Sequence, residues 1–189
     1  MIRAFVAVRI DPGVAQRICE AQSKLDKSLR GIRWVKRENL HLTLKFLGEV
    51  REDRVMPITD ALEQALYSTP RFSLACRGLG VFPDIRKPRV MWVGLEGEAL
   101  ARLATAVEET LEPVGFAREK REFKPHLTVG RWRSFDGRSD VLRQEIERWQ
   151  EHDFGVSRVD EVIFLQSVLK SEGAVYTSLR VYPLRERPD

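Results

Sequence analysis

The sequence predicts an α+β, bilobal fold: two pseudo-symmetric lobes, each an antiparallel sheet backed by helices, with the active-site cleft between the sheets. Three observations carry this reading. Strand-like and helix-like hydrophobic patterns alternate along the 189 residues. Short turns join several strand pairs, which implies antiparallel pairing. One motif occurs twice, as His41-Leu42-Thr43-Leu44-Lys45-Phe46 and His126-Leu127-Thr128-Val129-Gly130-Arg131, and the openings at 41 and 126 lie 85 positions apart, close to half the chain. The expected organisation is a single domain over 1–189 with an internal duplication and one His-x-Thr motif per lobe, at 41–43 and 126–128.

Ile2 to Ile10 reads as a strand with Ala4, Val6 and Val8 on one face and Phe5 and Ala7 on the other, so both faces are apolar. Asp11 and Pro12 supply an N-cap and a first-turn proline. Val14, Ile18, Ala21 and Leu25 then carry a helical stripe toward Leu29, ended by Gly31. Ile32 to Val35 is a short strand, Lys36 to Asn39 a turn, and Leu40 to Leu47 the first motif strand, closed by Gly48. Val55, Ile58, Leu62, Ala65 and Leu66 mark a helix within Asp53 to Tyr67, stopped by Pro70. Phe72 to Leu79 and Val90 to Leu95 are strands, and the turn-rich Gly80 to Pro88 between them reads as a long hairpin loop in preference to a mobile lid. Glu98 to Leu111 is a helix, Glu122 to Arg131 the second motif strand, and Asp140 to Gln150 a helix. Val156 to Leu169 and Ala174 to Pro183 form a last strand pair around Ser171-Glu172-Gly173, and the polar tail from Arg185 to Asp189 is expected to fray.

Hydrophobic residues at 43% and charged residues at 32% describe a folded globular protein and exclude a disordered one. No apolar run approaches the roughly 20 residues needed to cross a bilayer, and Met1 to Val8, soon followed by Asp11 and Pro12, is too short for the apolar part of a signal segment. A cytoplasmic monomer with no membrane partner is the expectation. Neither a G-x-G-x-x-G nor a G-x-x-x-x-G-K loop is present, and no cofactor is expected. Cys19 and Cys76 lack metal-like spacing and read as packing residues. The net charge of +4 is less informative than its placement: Arg118 to Lys124 and Arg131-Trp132-Arg133 flank the second motif histidine and favour an anionic ligand.

On a strand, a His and a Thr two residues apart share one face. Histidines on two such strands facing one cleft suit general acid–base catalysis without a metal, one taking a proton from water and the other giving one to a departing oxygen. Hydroxyls of Thr43 and Thr128 would hold the non-bridging oxygens of a phosphate, as in-line displacement at phosphorus requires. A zinc centre of His41, His126 and His152 is the competitor, but Gln150-Glu151-His152-Asp153 reads as a polar helix end. Phe46 and Arg131 each lie five positions after a motif histidine. An odd offset points away from the histidine face unless the strand ends, twists or bulges, and Gly130 favours a kink in the second copy. Spacing alone leaves each residue between the cleft and an ordinary core or surface position. Within the cleft, Phe46 would stack on a base and Arg131 would pair with phosphate or pack over a base. Lys45, on the motif face by strand parity where the second copy has Gly130, takes no role.

The paired motifs resemble the two-histidine (2H) phosphoesterase superfamily, and their frame is similar to its RNA 2′,3′-cyclic phosphodiesterase branch, also named 2′-5′ RNA ligase. That frame comprises Arg3-Ala4-Phe5-Val6-Ala7-Val8, Arg33-Trp34-Val35, Leu40 to Gly48, Gly80-Val81-Phe82-Pro83, Pro88 to Leu95, Pro125 to Arg131 and Tyr176. The resemblance implies a bilobal fold and metal-independent opening of an RNA 2′,3′-cyclic phosphate to a 2′-phosphate and a 3′-hydroxyl, with 2′-5′ ligation as the reverse. It makes His41 the general acid that protonates the 3′ oxygen and His126 the general base that activates water. Thr43 and Thr128 would hold the phosphate, while Phe46 and Arg131 would contact the terminal nucleotide. The implied partner is an RNA or oligonucleotide ending in a 2′,3′-cyclic phosphate, or a 2′,3′-cyclic nucleotide. A reading from another class, a non-catalytic basic RNA-end-binding module, has no need of two matched histidines.

Overall fold

Strand β1, Ile2–Arg9, is apolar on both faces, and in the computed structural model of the chain, which describes residues 1–171 and 173–186, both are buried. Ala4, Val6 and Val8 enter the main core, whereas Phe5 and Ala7 join Ile163 and Leu165 in a second cluster on the opposite side. A strand covered twice belongs inside a sheet. β1 accordingly lies second in the order β3-β1-β8-β9. The remaining strands of this sheet are β3, His41–Val50, β8, Glu161–Lys170, and β9, Gly173–Pro183. A second sheet has the order β2-β6-β5-β4-β7, from β2, Ile32–Trp34, β6, His126–Trp132, β5, Val90–Glu96, β4, Phe72–Phe82, and β7, Asp153–Val159. All pairings in both sheets are antiparallel.

Helices cross over between the sheets. α1, Pro12–Leu25, starts from an Asp11 carboxylate that accepts from Gly13 N, and buries Val14, Ala15, Ile18 and Ala21. It follows β1 but packs against β7 of the second sheet. α3, Glu98–Leu111, follows β5 yet packs against β3 and α2, Val55–Leu66, on the first sheet. α4, Ser139–Trp149, lies against β4. Each sheet with its helices is therefore assembled from both halves of the chain, and no helix of the described residues is long and apolar enough to cross a membrane.

Element identities follow the sequence reading, with instructive differences at the ends. The segment read as one strand over Val156 to Leu169 is two strands in different sheets, separated at Asp160. Val159, Val162, Ile163 and Phe164 are all buried, and the charged pair Asp160-Glu161 between them is the one mark of the change of sheet. β3 continues through Gly48 to Val50, because Gly48 at φ 68° still pairs with Ala4. β4 extends to Phe82, which shortens the hairpin loop before β5. The strand expected from Glu122 begins only at His126, and the first helix stops at Leu25 rather than near Leu29. Arg185, expected to fray, is tied down: its N–H donates to Thr69 O and its carbonyl accepts from Arg71 N. Glu172 and residues 187–189, parts of the expected turn and tail, lie outside the described residues. Cys76 is buried in β4, where desolvation pushes its thiol up to about 12, as suits a packing residue.

Candidate active site

His41 and His126 are the first residues of β3 and β6, and each ring is held in the same way. Nδ1 bonds to the carbonyl oxygen two residues earlier, Asn39 for His41 and Lys124 for His126, at 2.7 Å in both. A carbonyl only accepts, so Nδ1 carries a hydrogen and Nε2 is the nitrogen left for chemistry. Aromatic neighbours fix the ring planes. Tyr176 of β9 meets His41 edge-on at 5.0 Å, with Phe5 at 5.0 Å, and Phe82 meets His126 edge-on at 5.1 Å.

Both strands then bulge at the same point of the motif. β3 pairs Thr43 with Ala7 and Lys45 with Val6, so Leu44 is the extra residue; β6 pairs Thr128 with Trp92 and Gly130 with Met91, so Val129 is extra. An inserted residue reverses the side-chain parity beyond it. Leu44 and Lys45 are consecutively buried and Phe46 is 65% exposed, while Val129 and Gly130 are buried and Arg131 is exposed. Phe46 and Arg131 therefore return to the face of the preceding His and Thr, and Phe46 stands 5.8 Å from the Phe5 ring. The same shift corrects Lys45, which parity had put on the motif face. It points into the helix layer, where it ion-pairs with Glu108 of α3 and donates to Ala117 O at 2.8 Å.

The two motif strands contact each other, and charge reaches across the space in front of them. Burial holds the His41 imidazole below its ordinary value; its bond to the Asn39 carbonyl opposes this, and the Arg131 guanidinium of the other strand adds to it. Burial raises the Tyr176 phenol, against the influence of Arg131 and Arg3. His152, the third member of the zinc set considered from sequence, instead packs against Trp149 and Phe154 at 4.5 and 4.8 Å after α4.

Four aromatic neighbours of the site had no role in the sequence reading. Phe5 looked like the second face of an ordinary strand, and Tyr176 was one residue of the frame. Phe82 and Trp92 become neighbours, at 5.2 Å, only through the β4–β5 register. Gly80 offered a signal for Trp92: a Cβ there would collide with the indole, which lies across the bare backbone.

Two bulged strands in contact, each presenting a histidine and a threonine on one face, are the paired His-x-Thr strands expected of a two-histidine phosphoesterase. Comparison with known proteins agrees. The LigT-like phosphoesterase family matches over residues 8–92. An RNA 2′,3′-cyclic phosphodiesterase of Archaeoglobus fulgidus is 35% identical over 96% of this chain and 99% of its own, and one of Methanothermobacter thermautotrophicus is 36% identical over 97% and 99%. The crystal structure of TT0787 from Thermus thermophilus superposes with a TM-score of 0.84 at 29% identity, covering 99% of this chain and 100% of that one. E. coli LigT, solved with 3′-AMP, shares the fold at a TM-score of 0.78 and 24% identity over 98% and 99%. The chain belongs to the LigT-like phosphoesterase family.

Proposed function

We propose that the protein hydrolyses RNA 2′,3′-cyclic phosphate ends to a 2′-phosphate and a 3′-hydroxyl by metal-independent acid–base catalysis. The observation that carries the reading is the matched pair of histidines, each locked with Nδ1 on a carbonyl and Nε2 free for proton transfer. Nε2 of His126 takes a proton from water as the oxygen attacks phosphorus. The bond from phosphorus to the 3′ oxygen breaks, and that oxygen leaves with a proton from His41. Thr43 and Thr128 hold the non-bridging oxygens, Phe46 stacks on the terminal base, and Arg131 balances the phosphate charge. In the empty cleft burial disfavours the charged imidazolium of His41, and the arriving phosphodiester anion restores it. With a 5′-hydroxyl in place of water, the same groups join a cyclic end to it through a 2′-5′ link: His126 takes the proton of the 5′-hydroxyl and His41 again protonates the departing 3′ oxygen. The names borne by relatives that match over nearly their whole length support this substrate.

The test is product analysis of an RNA oligomer ending in a 2′,3′-cyclic phosphate, incubated with the protein in EDTA. The expected product carries a 2′-phosphate and resists further turnover. Salt-sensitive binding of the oligomer with no turnover would replace this reading by the RNA-end-binding module.

A further inference from the structure

The second sheet has a strand that the first lacks. β2 is three residues long and adds to the outer side of β6, with Arg33 at its centre directly opposite Arg131. Its neighbours Ile32 and Trp34 point to the helix side: Trp34 Nε1 donates to Asp26 Oδ1 at 2.8 Å just beyond α1, and Ile32 covers Gly130. Arg33 therefore projects from the other side, the face that holds His126, Thr128 and Arg131. Directly paired residues on adjacent strands lie about 5 Å apart at Cβ, and like charges so placed repel. Some exposed arginines elsewhere on the protein stand against carboxylates, as Arg77 does against Glu151 and Arg180 against Glu63. Among the described residues neither Arg33 nor Arg131 has a carboxylate oxygen within 4.0 Å. Two unneutralised guanidinium groups held side by side on a cleft face are an arrangement that an anion relieves.

From Thr128 to Arg131, across the bulge, is about two strand steps, roughly 7 Å, and Arg33 stands one strand further out. That displacement from the reacting phosphate is about one nucleotide along an RNA backbone. We propose that Arg33, beside Arg131, forms a second phosphate subsite for the internucleotide phosphodiester on the 5′ side of the terminal nucleotide. The site is thus built for an RNA chain rather than for a cyclic mononucleotide. This rests on the function proposed above and specifies its substrate class.

The experiment compares kcat/KM for a 2′,3′-cyclic mononucleotide and for a dinucleotide with the same cyclic end, using the wild type and Arg33→Gln. The wild type should prefer the dinucleotide, and Arg33→Gln should lower that preference about tenfold, the worth of one charge-assisted contact. The dependence of log(kcat/KM) on log salt should flatten by about 0.7 for the dinucleotide. A dinucleotide with a neutral methylphosphonate link should lose the preference in the wild type and lose nothing further in Arg33→Gln. An equal preference in wild type and variant overturns the subsite. If the wild type turns over neither substrate, the hydrolase reading has failed on its own account. The subsite is then decided by fluorescence anisotropy with a short RNA: tenfold weaker binding by Arg33→Gln supports it, and unchanged binding overturns it.

Discussion

The two motif strands have the same face and different backs. At the position after the bulge β3 carries Lys45 and β6 carries Gly130, about as unlike as two residues can be, yet both strands restore the next side chain to the histidine face. Behind β3 lies α3, far enough away to be met by a long side chain that ends in a buried ion pair with Glu108. Behind β6 the side chain of Ile32 lies directly on the backbone. A Cβ at Gly130 would come within 2.5 Å of Ile32 Cδ1, and the buried Gln22 amide donates to Val129 O and Val35 O at 2.9 and 3.0 Å. The difference teaches that the bulge, not the residue beside it, is what the two copies share.

The largest effect tests whether the copies are complementary. His41→Ala and His126→Ala should each lower kcat/KM by about two to four orders of magnitude on a cyclic-phosphate RNA. Groups that act as a unit are not additive, so the double variant should be little slower than the slower single one. Two single losses that multiply would mean independent histidines and would break the comparison.

A smaller effect separates the two backs. Lys45→Met strands the Glu108 carboxylate and should cost about 3 kcal/mol, the lower end for breaking a buried pair, because Glu108 retains 19% exposure. Adding Glu108→Leu should recover most of that loss, as replacing a whole buried pair by apolar groups does. Gly130→Ala should cost roughly 1–3 kcal/mol by overpacking against Ile32, with no partner change that rescues it by charge. Urea midpoints measure all three. If Lys45→Met proves neutral, the ion pair does not anchor the first bulge.

Much of this was legible because period-two patterns and a repeated His-x-Thr need only local rules. The element types, both motif strands and the facing of His41, Thr43, His126 and Thr128 follow from alternation. The bulges were legible only as a condition: Gly130 hinted at one, while nothing in Leu44-Lys45 marks the other, and the ion partner of Lys45 lies 63 residues away. The change of sheet at Asp160 is marked only by the charged pair Asp160-Glu161 between Val159 and Val162, a signal too short to tell a break from an irregularity within one strand. Arg33 needed the β2–β6 register, which three residues cannot reveal by pattern.

The smallest effect concerns charge passing between the copies. His41 sits below its ordinary value of 6.5, through burial first and Arg131 as a further cause. The folded state then binds this proton less readily than the unfolded chain does. Its contribution to stability is intact above about 6.5 and is lost as pH falls from there through the lowered folded value. For an acid catalyst the consequence is opposite in direction: activity falls as pH rises through the His41 value. The alkaline limb of kcat/KM, set in the empty cleft, should therefore lie at lower pH than that of kcat, where the bound anion favours the imidazolium. Arg131→Gln removes a lowering influence and should move the His41 ring resonances, followed by NMR against pH in the free protein, to titrate at higher pH. Phe46→Leu, the matching change on β3, removes no charge and should leave that titration where it is by this route. A His41 titration unmoved by Arg131→Gln would show that the arginine of one copy does not tune the histidine of the other, and the asymmetry would then rest on burial alone.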